Sequence, residues 1–201
     1  MPAHRKPRPR RRSPIPHHTN WRRPIFIDSY RTHHPFPYKE FHPFWRWLEH
    51  MAGNGKIRML DTVFKELTQK DGNGNRDELA EWTLTLFGDK QLSHKTDEIG
   101  AAYAQVQDYL ATCGLYRPAS YRQWEPETKA DPWLIAAAMV EDAIVVTNEQ
   151  AAHPMLSNPL KKEPKIPDVA DAMGVRTMNL REFYDASGEL VPLPYPIQTT
   201  L

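Results

Sequence analysis

The sequence predicts an α/β protein built on a parallel sheet covered on both faces. Strand candidates alternate along the chain with helical segments, the pattern of βαβ units. The strands read as continuous apolar runs, Ile25-Phe26-Ile27 and Ala143-Ile144-Val145-Val146-Thr147, not as apolar/polar alternation. Such runs fit strands buried on both sides. With 201 residues, 40% of them hydrophobic and 25% charged, the chain suits one domain with a sizeable core.

The charge is uneven. Residues 1–24 hold eight Lys/Arg, six Pro and no acid, whereas the other 177 residues hold 18 basic and 25 acidic residues, a net of −7. Residues 1–24 therefore read as a disordered basic arm. The globular domain is expected over residues 25–190, and residues 191–201 read as an irregular tail. Ile25 to Ile27 is the first strand, closed by Asp28, and Arg31 to Pro43 is a loop rich in His, Pro and aromatics. Phe44, Trp45, Leu48 and Met51 have helical spacing, and Gly53-Asn54-Gly55 stops that helix. Lys56 to Leu60 is a second strand. Asp61 or Thr62 caps the next helix, which carries Val63, Phe64, Glu66 and Leu67. After the turn at Asp71-Gly72-Asn73-Gly74-Asn75, helices are predicted over 76–87 and 96–113, and 116–129 is irregular. Pro132 sits in the first turn of a helix running to Asp142. Ala143 to Thr147 is the clearest strand. A polar loop, a short helix from Ile166 to Gly174, a strand over 175–180 and a helical piece over 181–186 complete the domain.

Several classes fall away. The longest apolar run, Pro132 to Val140, is far short of the ~18 residues of a membrane span. No apolar segment follows the basic N-terminus, so it is not a secretory signal. The single Cys113 excludes an internal disulfide or a Cys-based zinc cluster and fits a reducing, cytoplasmic setting. The first strand is followed by Asp28-Ser29-Tyr30-Arg31-Thr32, with no Gly-x-Gly-x-x-Gly, against a dinucleotide site. A Walker lysine loop is also missing.

What remains is a set of carboxylates. In a parallel sheet the ends of strands and the starts of following helices share one edge, where function collects. Asp28 closes the first strand, Glu66 lies one turn into the helix after the second, and Glu149 follows the Val145-Val146-Thr147 strand. Asp131, at the start of its helix, joins them if the preceding loop returns to that edge. Converging acids without a basic partner repel unless divalent cations lie among them. All-oxygen ligands select Mg²⁺ or Mn²⁺, and two such ions can clamp a phosphodiester during hydrolysis.

The flanking residues sharpen this. Ile25-Phe26-Ile27-Asp28-Ser29, Phe44-Trp45-Arg46-Trp47-Leu48-Glu49 and Val63-Phe64-Lys65-Glu66-Leu67 are followed by Ala130-Asp131-Pro132-Trp133-Leu134-Ile135-Ala136-Ala137-Ala138, Val145-Val146-Thr147-Asn148-Glu149 and Lys165-Ile166-Pro167-Asp168-Val169. In this order the chain resembles the PIN-domain ribonucleases, and within them the PIN-like group known as domain of unknown function 4411, over roughly residues 24 to 186. The resemblance implies a three-layer α/β/α PIN-like fold with a short parallel central sheet and an acidic metal pocket. It assigns Asp28, Glu66, Asp131 and Glu149 as catalytic, metal-holding acids for Mg²⁺ or Mn²⁺. Ser29, Thr147 and Asp168 are supporting positions, Asp168 being equally well explained as a helix cap. Glu149 stands where the usual T-N-D motif has aspartate. The implied activity is cleavage of RNA by the toxin of a type II toxin–antitoxin pair, with an antitoxin as partner and a homodimer as a common assembly. The alternative is a PIN-like module that binds RNA or a partner without cutting.

Overall fold

The computed structural model describes residues 19–21, 26, 30 and 34–187. A four-stranded parallel sheet lies at the centre, formed by β1 (Thr19–Trp21), β2 (Ile57–Arg58), β3 (Ile144–Val146) and β4 (Thr177–Met178) in the spatial order β2-β1-β3-β4. The registers are Thr19 opposite Ile57 and Ile144, and Val145 opposite Thr177. Eight α-helices stand among the described residues: α1 (His42–Gly53), α2 (Asp61–Leu67), α3 (Glu78–Phe87), α4 (Asp97–Thr112), α5 (Pro118–Tyr121), α6 (Ala130–Val140), α7 (Ile166–Ala172) and α8 (Leu180–Ser187). The short parallel sheet with helices packed around it is the expected α/β class.

Helix α6 is the centre of the core. Every residue from Ala130 to Ala138 is buried, which is why the segment is apolar all round and not amphipathic. Its small Ala136-Ala137-Ala138 stretch lets α4 and β3 approach closely. On α4 the buried stripe Ile99, Ala102, Val106 and Leu110 has helical spacing. Thr96 caps α4 by accepting from the Ile99 N–H at 3.2 Å, and Asp77 caps α3 by accepting from Ala80 at 2.8 Å. Trp45, Trp47, Trp82, Trp124 and Trp133 are all buried, as packing residues. At the end of α7, Gly174 takes φ +72°, a left-handed turn open to glycine, and the Val175 N–H returns to Ala170 at 2.8 Å.

Three expectations change. The first strand is Thr19–Trp21, inside the segment expected to be an unstructured arm. Thr and Trp favour strand geometry, and this strand pairs on both sides. Of the 25–27 run, only Phe26 is described: it is helical, buried, and its ring lies 6.0 Å from that of Trp82. Its apolar character is met by helix-layer packing. The stretch 116–129 is not wholly irregular, since α5 and a 3₁₀ turn, Arg122–Trp124, lie within it. Finally, neither Asp61 nor Thr62 caps α2: the cap position is Leu60, without a side-chain bond.

Candidate functional site

The carboxyl end of β3 delivers Thr147, Asn148 and Glu149 in succession. Thr147 is buried, and its hydroxyl accepts the Glu149 N–H at 3.1 Å, a short side-chain turn that fixes the start of the loop. Both carboxylate oxygens of Glu149 are engaged. Oε1 lies 3.2 Å from Lys165 Nζ, and Oε2 accepts from the Ile166 N–H at 3.0 Å, so Glu149 also caps α7. Beyond the ends of β3 and β4 opens a cavity of about 770 Å³, walled in part by Asn148, Gln150, Asn179 and Arg181.

Asp131 sits in the first turn of α6 and is only 5% exposed. Acids are seldom buried to that degree without a partner, and Lys129 Nζ stands 3.2 Å from its Oδ2. Lys129 also pairs with Glu163, which accepts from Trp124 Nε1 at 3.2 Å. Burial pulls the Lys129 ammonium down, but Glu163 and Asp131 outweigh it and raise its pKa above the ordinary lysine value. The loop leading into α6 is thereby tied to the loop leading into α7.

Glu66, half-buried on α2, lines a different cavity of about 390 Å³. His94 lies on the same wall and is almost wholly buried. Its Nδ1 lies 2.7 and 2.8 Å from the two oxygens of Asp61, and its N–H donates to Asp61 at 3.2 Å. Asp61 is thus occupied by a histidine 33 positions away. No spacing in the sequence marks that pair.

Asp168 has a structural task. Its two oxygens accept the N–H groups of Ala152 at 2.7 Å and His153 at 2.9 Å, pinning a loop in which His153 takes φ +49°. Asp28 and Ser29 lie outside the described residues. Two acids expected to lack a basic partner, Asp131 and Glu149, have one each, Lys129 and Lys165. Each lysine supplies the compensating charge that a largely buried carboxylate requires. The donor chemistry of Glu66, Asp131 and Glu149, all oxygen, suits a hard divalent cation. Among the described residues, however, no group of three His, Cys, Asp or Glu stands close enough to hold an ion.

A family model described as "Domain of unknown function (DUF4411)" matches residues 25–189. A search of curated protein sequences gives no match. Among solved structures, the chain is similar to the crystal structure of VapBC2 from Rickettsia felis bound to a DNA fragment from their promoter. The identity is 16% and the TM-score 0.49, over 81% of this chain and 98% of that one.

Proposed function

The chain belongs to the DUF4411 family, and from that premise we propose that it is a metal-dependent endoribonuclease, the toxin of a type II toxin–antitoxin pair. The observation that carries this reading is the carboxylate of Asp131, buried in the first turn of the most deeply packed helix and held by Lys129. Asp28, Glu66, Asp131 and Glu149 would hold Mg²⁺ or Mn²⁺, which supplies charge neutralisation and nucleophile activation at a phosphodiester. The chain's own residues do the positioning. Thr147 and the α7 N-terminus set the direction of Glu149, and Lys129 fixes that of Asp131. The cavity beyond β3 and β4 offers Asn148, Gln150 and Arg181 as partners for a single-stranded backbone. An antitoxin that covers this edge would silence it, and a homodimer is the assembly we expect. Among the described residues no helix is long and apolar enough to cross a membrane.

One observation favours a second reading, a module that binds RNA or a partner without cutting. Both oxygens of Glu149 are engaged by Lys165 and Ile166, so a cation there would share the carboxylate with a lysine ammonium that repels it. The discriminating experiment incubates the purified protein with a mixed single-stranded RNA pool in Mn²⁺, Mg²⁺ or EDTA, beside Asp28→Asn and Asp131→Asn. Nuclease action predicts cutting that needs the cation and falls at least ~10²-fold in both variants, at or beyond the usual range for losing an outer-shell partner. Absence of cutting, with RNA binding indifferent to EDTA and to both substitutions, would leave the binding module standing.

A further inference from the structure

The cavity beside Glu66 contains a polar arrangement that metal holding does not use. The His94 ring is fixed on two sides, by Asp61 at Nδ1 and by Trp133, edge-on at 4.8 Å. Trp133 is itself stacked on Tyr103 at 3.7 Å. With Nδ1 turned to a carboxylate, Nε2 is the end left for a ligand. Glu127 Oε1 stands 4.0 Å from it, beyond hydrogen-bond range. Thr62, on the same wall, has a buried hydroxyl with no hydrogen-bond partner.

A gap of 4.0 Å between two polar groups is one that a single bridging oxygen can span, at roughly 2.8 Å from each. The wall's charge indicates what kind of oxygen. Lys65 and Lys95 are balanced by Glu66 and Glu127, so a bare anion gains little there. A neutral group that both donates and accepts fits better. In RNA that group is the ribose 2′-hydroxyl. We propose that His94 and Glu127 form a ribose-recognising pair that grips a 2′-hydroxyl of the strand passing Glu66 and so makes the chain specific for RNA over DNA. This rests on the ribonuclease reading, because Glu66 is one of its acids. The pair acts with Nε2 protonated: Nε2–H donates to the hydroxyl oxygen, and the hydroxyl donates its one proton to Glu127. His94 is here a specificity-determining residue.

The test is a cycle between protein and substrate. The full chain, His94→Asn and Glu127→Ala are each given one RNA oligonucleotide, and the same oligonucleotide with a single deoxyribose moved along it. Asparagine keeps a donor near the Nδ1 position for Asp61 while deleting Nε2. Glu127 is largely exposed, its side chain at 73%, so its truncation leaves the fold alone. At one nucleotide, removing the hydroxyl should slow wild-type cutting about tenfold, the effect of one lost hydrogen bond. Each variant should be about tenfold slower on all-ribose substrate and indifferent to that deoxyribose. Equal slowing of both substrates, or no position that matters to wild type, would overturn the pair. The same cycle is read in EDTA by fluorescence anisotropy of binding. If nothing is cut yet binding shows the coupling, the nuclease reading fails and the ribose pair stands. If cutting is normal and the coupling is missing from both readouts, the pair fails alone.

Discussion

At Asp168 a single carboxylate holds a loop by two charge-assisted bonds, to the N–H groups of Ala152 and His153. Without them two backbone donors lose their acceptor, at about 2 kcal/mol. Asp168→Ala should therefore lower the thermal midpoint by roughly 4–8 °C for a chain of this length and speed amide exchange at 152–153. Lys129 gives a pH prediction. Its folded pKa lies above the ordinary lysine value because Glu163 and Asp131 outweigh burial. A raised pKa contributes stability that is complete below the unfolded value, near 10.4, and is lost as pH climbs through the folded one. Wild type should lose midpoint temperature as pH rises above the unfolded value, near 10.4, and Lys129→Met should lose less over the same rise, by calorimetry. Position in the fold is legible where it follows from local pattern: Asp131 is expected at a helix start and Glu149 after a strand, and the structure places them there. The Asp61–His94 pair was not legible, because its partners are 33 residues apart and neither belongs to a periodic pattern. Nothing in the sequence marks Lys129 and Lys165 as the ion-pair partners of Asp131 and Glu149; the fold sets them there.

Among the elements, α6 carries the most packing and should tolerate the least. Leu134, fully buried, would leave a cavity as alanine, at about 2–5 kcal/mol. Ala136, also fully buried, would clash as leucine at about 1–3 kcal/mol. Chemical denaturation should show a lower midpoint for each variant with an unchanged slope. A matched change on the exposed face of α4, Gln105→Ala, should stay within ~0.5 kcal/mol. Helix α4 is readable because its buried stripe repeats at helical spacing over many residues, and α6 because Pro132 marks its first turn. Strands of two or three residues, such as β2 and β4, impose almost none. This is why composition points to Ile25-Phe26-Ile27, the more apolar triplet, and leaves Thr19–Trp21 unmarked: the pairing is decided only by the neighbouring strands.

For the molecule as a whole, the position of β1 sets a sharp boundary within the basic segment. Residues 1–18 hold six of its eight cationic residues, Arg5, Lys6, Arg8, Arg10, Arg11 and Arg12, and none of the described sheet. Residues 19–21 form the strand between β2 and β3. Deleting residues 1–18 should therefore leave the unfolding transition cooperative and its midpoint within a few degrees of the full chain. Deleting residues 1–24 removes the strand that joins the two sides of the sheet and exposes unpaired edges, so it should abolish cooperative unfolding. The shorter deletion also tests the arm's electrostatic role. Each lost Lys/Arg–phosphate contact with a single strand lowers the slope of log K against log salt by about 0.7, so six lost contacts reduce it by up to ~4. If the slope for single-stranded RNA is the same with and without residues 1–18, the arm does not meet the backbone, and affinity must come from the acidic body itself. The net charge of −5 on residues 19–201, 20 basic against 25 acidic residues, repels phosphate over a Debye length of ~10 Å at 0.1 M salt. On the ribonuclease reading proposed above, residues 1–18 are the part of the chain whose charge would bring RNA to the carboxyl edge of the sheet.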